Sequence, residues 1–137
     1  MAIRKIATIG HPVLRQVARD LGRDELLSPT WQSFIDDLVE TMHDANGAGL
    51  AANQIHEPVR ICAVHVKDNP RYPYKPNIPL TILVNPVVEP LPGVETFLNY
   101  EGCLSVPNLH GEVPRAPRVQ VRAWDREGRD LDVVAAG

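Results

Sequence analysis

Thirteen prolines in 137 residues restrict this chain to many turns and few long helices, because proline has no N–H to give a helix interior. One strong helical signal begins at Ser28. Ser28 can cap, Pro29 suits the first helical position, and Trp31, Phe34, Ile35, Leu38, Val39 and Met42 recur at helical spacing. This helix is expected to end near Asn46-Gly47, where glycine tolerates a left-handed backbone. The apolar stripe reads as core packing. Residues 11–18 read as a short helix with Pro12 in its first turn, and residues 3–9 as an apolar, extended segment.

The remaining signals are those of strands. Residues 59–66 are rich in β-branched side chains and read as a buried strand. Residues 80–88 form a second strand that Pro86 breaks or ends, with a turn region at 89–93. Val119, Val121 and Ala123 alternate with Arg118, Gln120 and Arg122, as in a half-buried strand. Residues 125–128 make a tight turn, and 131–134 return as its hairpin partner. Residues 67–79, with Arg71, Tyr72 and Tyr74, read as a loop of unassigned purpose. No repeat or linker interrupts the chain. The fold class expected is α+β: one domain over 1–137, a long helix packed against short, mostly antiparallel strands.

Composition excludes some functions. A net charge of −3 gives no electrostatic case for direct nucleic-acid binding. Arg115, Arg118, Arg122, Arg126 and Arg129 form the basic run, but acidic residues interrupt it, so it reads as a solvated strand face. No apolar stretch reaches the roughly 20 residues of a membrane helix, and no long apolar segment follows Arg4 and Lys5 as in a secretory signal. Cys62 and Cys103 make no disulfide framework. A reducing cytoplasm is expected, where a lone exposed cysteine is more often chemical than structural.

Two segments do not read as ordinary core. Gly47 and Gly49 flank Ala48 and permit a backbone excursion close to a ligand. Small Ala51 and Ala52 follow, and Gln54 ends the segment with a long amide donor; alone, a tight turn explains it as well. Cys103 lies between Gly102 and Leu104-Ser105, ahead of Pro107, which favours an extended or turn geometry. Such a loop exposes a thiol and leaves the next N–H to meet an oxyanion. A thiolate there is a nucleophile or a metal ligand. Cys62, inside an apolar strand, reads as buried filler. His11, His43, His56, His65 and His110 read as satisfied or solvated side chains. His56-Glu57 fails the H-E-x-x-H pattern because Arg60 stands at the fourth place, and no other pair meets that spacing.

Together the two segments are specific. Gly47-Ala48-Gly49-Leu50-Ala51-Ala52-Asn53-Gln54 matches G-x-G-L-A-A-x-Q, and Glu101-Gly102-Cys103-Leu104-Ser105 matches E-G-C-L-S. With the opening Ile9-Gly10-His11-Pro12-Val13-Leu14-Arg15, residues 82–86 and Val113-Pro114-Arg115, the whole chain resembles the peptide deformylase family. The resemblance implies hydrolytic removal of the formyl group from N-formyl-methionyl nascent peptides in the bacterial cytoplasm. It implies a divalent metal, iron natively, with zinc, nickel or cobalt able to substitute. Cys103 matches the metal's Cys ligand, and Gln54 and the Leu104 N–H match the oxyanion donors. Gly49 matches a backbone contact to substrate, and Glu101 lies beside the groove. Ala48 and Leu50, with Leu104, are candidates to contact the methionine side chain. The ribosome is a candidate partner, and no oligomeric state is implied.

The third family motif, H-E-x-x-H on a C-terminal helix, does not occur in these residues. It would supply two His ligands and the acid/base Glu. The expectation is therefore a deformylase whose activity requires that helix, with an inactive formyl-peptide binder as the alternative. A metal-free thiol hydrolase, using Cys103 with His110 or His56, is a third reading.

Overall fold

The computed structural model describes residues 2–71, 73–93 and 95–136. The chain runs through a 3-10 turn (Pro12–Arg15), a short helix α1 (Arg23–Leu26) and a long helix α2 (Pro29–Asp44). Strand β1 (Gly49–Ala51) follows, then a second 3-10 turn (Ala52–Ile55). The remaining strands are β2 (Ile61–Val66), β3 (Ile78–Pro90), β4 (Phe97–Cys103), β5 (Val106–Arg115), β6 (Arg118–Trp124) and β7 (Asp130–Ala136). The architecture is α+β with antiparallel strand pairing, as expected.

Helix α2 begins where its sequence places it. Ser28 accepts a hydrogen bond from the Trp31 N–H, and Pro29 opens the first turn. Phe34, Ile35, Leu38 and Met42 are buried along one face, against Leu50, Ala52, Ile61, Ala63, Ile82 and Val84. The helix ends at Asp44, and Asn46, not Gly47, takes the left-handed position with φ of 55°. Asparagine tolerates that region because its short polar side chain can hydrogen-bond locally. Gly47 is needed for space instead: a Cβ there would lie 2.7 Å from Leu104 Cδ1.

Residues 11–18 form less helix than expected. Only the four-residue 3-10 turn appears, and Gln16 is already extended. Val17 is 96% exposed, so there is no second buried apolar position to hold another turn against the core.

Five strands pair in the order β1-β2-β3-β6-β7, leaving β1 at one edge. Ile61 and Ala63 of β2 are buried, whereas Cys62 and Val64 are only partly so, a strand with one face in the core. Strand β3 is broken at Pro86, one of the two outcomes expected there, and resumes as far as Pro90. The ladder to β6 shifts register between Val84 and Val87, so Pro86 falls in a bulge where no ladder donor is required. Asn85 there has φ of 52°, and its carboxamide pairs with both Leu21 N–H (2.9 Å) and Leu21 C=O (2.8 Å). The β6–β7 hairpin turns where expected: Asp125 Oδ1 accepts from Glu127 and Arg129 N–H groups, and Gly128 has φ of 78°.

Strands β4 and β5 form a separate two-stranded sheet. Pairing runs from Phe97 with Arg115 to Gly102 with His110, then slips so that Cys103 faces Val106. Leu104, between them, packs on the main core.

Residues 3–9 form no strand, but they are tied down at both ends. Asp37 on α2 accepts from Ala2 N–H (2.7 Å) and from the Arg4 guanidinium (2.9 Å). Burial alone would raise the Asp37 carboxyl; the Ala2 N–H and Arg4 outweigh it and hold the group below its ordinary value. Farther on, Ala7 N–H donates to Gln54 C=O (2.7 Å) and Ile9 N–H to Ser105 C=O (2.8 Å). One short segment thereby bridges both of the unusual motifs.

Candidate active site

The bridge brings the amide and the thiol together. Gln54 sits on the 3-10 turn after β1, Cys103 ends β4, and Gln54 Nε2 lies 3.7 Å from Cys103 Sγ. The carboxamide is oriented by its neighbours. Ala51 N–H is a donor and stands 2.9 Å from Gln54 Oε1, so the oxygen must face it. The NH2 group is thus turned outward, one proton to Ser105 Oγ at 2.9 Å and the other on the cysteine side. Ser105 is only 4% exposed, which fixes this arrangement in a dry setting. Cys103 itself is exposed. The Leu104 N–H, between them, is not engaged by another backbone or side-chain group among the described residues.

A cleft of about 390 Å³ opens beside these groups. Gly47, Ala48 and Gly49 line it together with Gln54, Cys103 and Leu104. Val64, Val66, Ile78 and Tyr100 supply apolar surface, and Arg71, Tyr74 and Lys75 bring the 67–79 loop to it. Tyr72 of that loop lies outside the described residues. Gly49 pairs with Val64 on one side, and β1 is a sheet edge, so its other side can receive an extended chain.

Leu50 corrects an expectation. It does not line the cleft; it is 2% exposed and packs in the core. Alternation along β1 requires this, because neighbouring Gly49 already faces the opening. Cys62 is half-buried, and burial pushes its thiol up. It takes no part in the cleft.

Glu101 lines the cleft but is not available as a base. Arg115 grips it in a two-pronged ion pair, Nε to Oε2 at 2.7 Å and Nη2 to Oε1 at 2.6 Å, and Asn99 donates to Oε2 at 3.0 Å. The Arg115 hydrogen bonds, against the opposing cost of burial, hold the carboxyl at about 2. So weak a base cannot take a proton at neutral pH. A folded-state value below the ordinary one stabilises the fold only while the group is ionised. The stabilisation is therefore present above pH 4.5 and is lost as pH falls to about 2. Thermal unfolding should show the protein more stable than Glu101→Gln near neutrality, with the difference vanishing in that acid window. The effect is modest, because Arg115 is more than half exposed and solvent screens the pair.

Arg115 was the first member of the basic run read as a solvated face. Its partner is 14 residues away in sequence, across the β4–β5 ladder. Arg126 is likewise engaged, by Asp36 at 2.9 Å and by Gln32. Arg118 and Arg122 are exposed, as expected. Ser105 lies inside a motif, yet its hold on Gln54 depends on contact 51 residues apart.

The histidines are occupied elsewhere. His110 stacks on Tyr100, centroids 5.2 Å apart, and His56 packs edge-on to His11 at 4.7 Å. Neither makes a hydrogen bond to the Cys103 sulfur among the described residues, so no thiol–imidazole pair is formed there. Among the same residues, no group of three His, Cys, Asp or Glu side chains could hold a metal ion. Cys103 is a single ligand, and the set does not by itself fit a metal centre.

Comparison with known proteins points in one direction. The family model described as polypeptide deformylase matches residues 3–137. A peptide deformylase of Leptospira biflexa is 39% identical over 139 residues, covering 100% of this chain and 76% of the relative. The solved Met-Ala-Ser-bound class I type b peptide deformylase from Acinetobacter baumannii superposes with a TM-score of 0.92 at 33% identity, covering 98% of this chain and 84% of that one. The actinonin-bound peptide deformylase from Ehrlichia chaffeensis gives 0.86 at 28% identity, covering 100% and 77%.

Proposed function

Since this chain belongs to the polypeptide deformylase family, we propose that its cleft takes an N-formyl-methionyl peptide and presents the formyl carbon to hydrolysis. One observation carries this reading: Gln54 Nε2 and Cys103 Sγ, 49 residues apart in sequence, face each other at 3.7 Å beside an open edge strand. A peptide bound to the solved Acinetobacter baumannii relative supports a peptidic occupant. Such nascent peptides place the reaction in the bacterial cytoplasm, and no helix among the described residues is long and apolar enough to cross a membrane. The ribosome stays a candidate partner.

The peptide backbone adds to the edge of β1, with Gly49 letting it approach closely. Ala48 and Leu104 contact the methionine side chain, and Tyr100 adds apolar surface. The formyl oxygen sits between Gln54 Nε2 and the Leu104 N–H. These donors strengthen as the carbonyl oxygen gains charge, so they favour the transition state over the bound substrate. Ser105 and the Ala51 N–H keep the Gln54 donor from rotating away.

A divalent metal, iron natively with zinc, nickel or cobalt able to replace it, would supply an activated water in this family's reaction. Cys103 is the ligand offered here. Among the described residues lining the cleft, Cys103 has no His, Asp or second Cys beside it, and the one carboxylate, Glu101, is committed to Arg115. We infer that turnover depends on an H-E-x-x-H helix in addition to these residues.

The test uses formyl-Met-Ala-Ser. The 137-residue chain should bind it without releasing formate. Joined after Gly137 to an H-E-x-x-H helix and loaded with iron anaerobically, it should release formate and lose that activity to chelators. Chelator-resistant formate release by the chain alone would replace this reading with thiol hydrolysis. Failure to bind the peptide would overturn it.

A further inference from the structure

Away from the cleft, two imidazoles meet head to head. His43 lies in the last turn of α2 and His65 in β2, and His43 Nε2 stands 2.8 Å from His65 Nδ1 with ring centroids 5.0 Å apart. Neither ring lines the cleft, and nothing in the hydrolytic reading uses them. Both are carried on regular backbone. His65 N–H is further tied to Ala48 C=O at 2.9 Å.

A single N–H···N hydrogen bond satisfies such a pair when nothing else is present. The spacing serves another purpose equally well. Two nitrogens about 2.0 Å from one cation, at neighbouring positions about 90° apart, are separated by about 2.8 Å. Right-angled positions are those of a tetragonal ion, and imidazole is a favoured ligand for such ions. A second observation favours a cation: His43 stands where the backbone dipole of α2 ends negative. The other histidine contact, His11 with His56, is less suited, because His11 Nδ1 already accepts from Val13 N–H.

We propose that His43 and His65 form a surface site for a divalent cation of tetragonal preference, Cu2+ or Ni2+, bound through His43 Nε2 and His65 Nδ1. In the empty pair one facing nitrogen carries a proton. On binding, that proton passes through solvent to the same ring's outer nitrogen, both facing nitrogens present lone pairs, and no net proton is released. Because the rings meet head to head, each must turn by roughly 45° to aim its lone pair at an ion holding the two nitrogens at right angles, and exposed His43 has the room to turn. Water fills the remaining positions, since no third metal-binding side chain groups with the pair among the described residues.

The experiment titrates Cu2+ into the Cys103→Ser protein, where the cleft thiol is gone, and follows binding by calorimetry and electron paramagnetic resonance. One Cu2+ should bind with hyperfine coupling from two imidazole nitrogens. His43→Gln and His65→Gln should each weaken it by about tenfold or more, and the double variant should lose little beyond either single one. His56→Gln should leave binding unchanged, and circular dichroism should show each variant folded. Retained affinity in the folded His43→Gln protein would overturn the proposal. So would loss of the site on His56→Gln.

Discussion

Gln54→Leu should lower kcat/KM for formyl-Met-Ala-Ser by about 10²–10³, in the form of the protein that carries the H-E-x-x-H helix and metal. Leucine occupies similar volume but cannot donate to the developing oxyanion. It also leaves Ala51 N–H without its side-chain acceptor and Ser105 Oγ without its donor. The loss should fall on kcat with KM changed little, because the donor matters most once the oxygen carries charge. A rise in KM with unchanged kcat would show that Gln54 merely holds substrate, and the oxyanion role would be abandoned. Ser105→Ala supplies an intermediate case. The donor remains but can rotate, so a smaller loss is expected, again in kcat.

Leu38→Ala should destabilise the fold by about 2–5 kcal/mol, read as a lower urea midpoint at unchanged slope. Leu38 has 0% exposure and lies in the cluster joining α2 to β1, β2 and β3. Truncation there leaves a cavity that a helix held at both ends cannot collapse to fill. Total stability of a domain this size is about 5–15 kcal/mol, so the loss is a large part of it. Val17→Ala is the control: at 96% exposure it should change stability by no more than about 0.5 kcal/mol. Equal effects at the two positions would mean that the buried face of α2 is not what holds the layers together.

These two outcomes draw on different kinds of information. The start of α2 and its buried face were legible in a local pattern, Ser28-Pro29 followed by apolar residues at helical spacing. Such patterns are set by neighbours within two turns, which hold wherever the helix ends up. The β6–β7 hairpin was legible for the same reason. Local reading failed where distant parts of the chain decide. Pro86 can break a strand or end it, and the ladder to β6, which shifts register between Val84 and Val87 and then resumes, decides for the break. Gly47 reads as a cap, yet it is small because Leu104 presses on it from a strand pair 57 residues farther along.

The candidate site divides along the same line. Cys103, Gln54 and Gly49 stood out from their residue types and spacing and Glu101 from the family resemblance, and the structure places all four on one cleft. Leu50 did not follow, because one step along a strand reverses the side a residue faces, and only packing says which side is core. That Ser105 steadies Gln54, that Arg115 disarms Glu101, and that residues 7 and 9 pin both motifs together were decided by folding alone. Each is a hydrogen bond between groups far apart in the chain. A linear order of residues specifies which donors and acceptors exist, while their meeting depends on how layers stack and how two ladders slip in register.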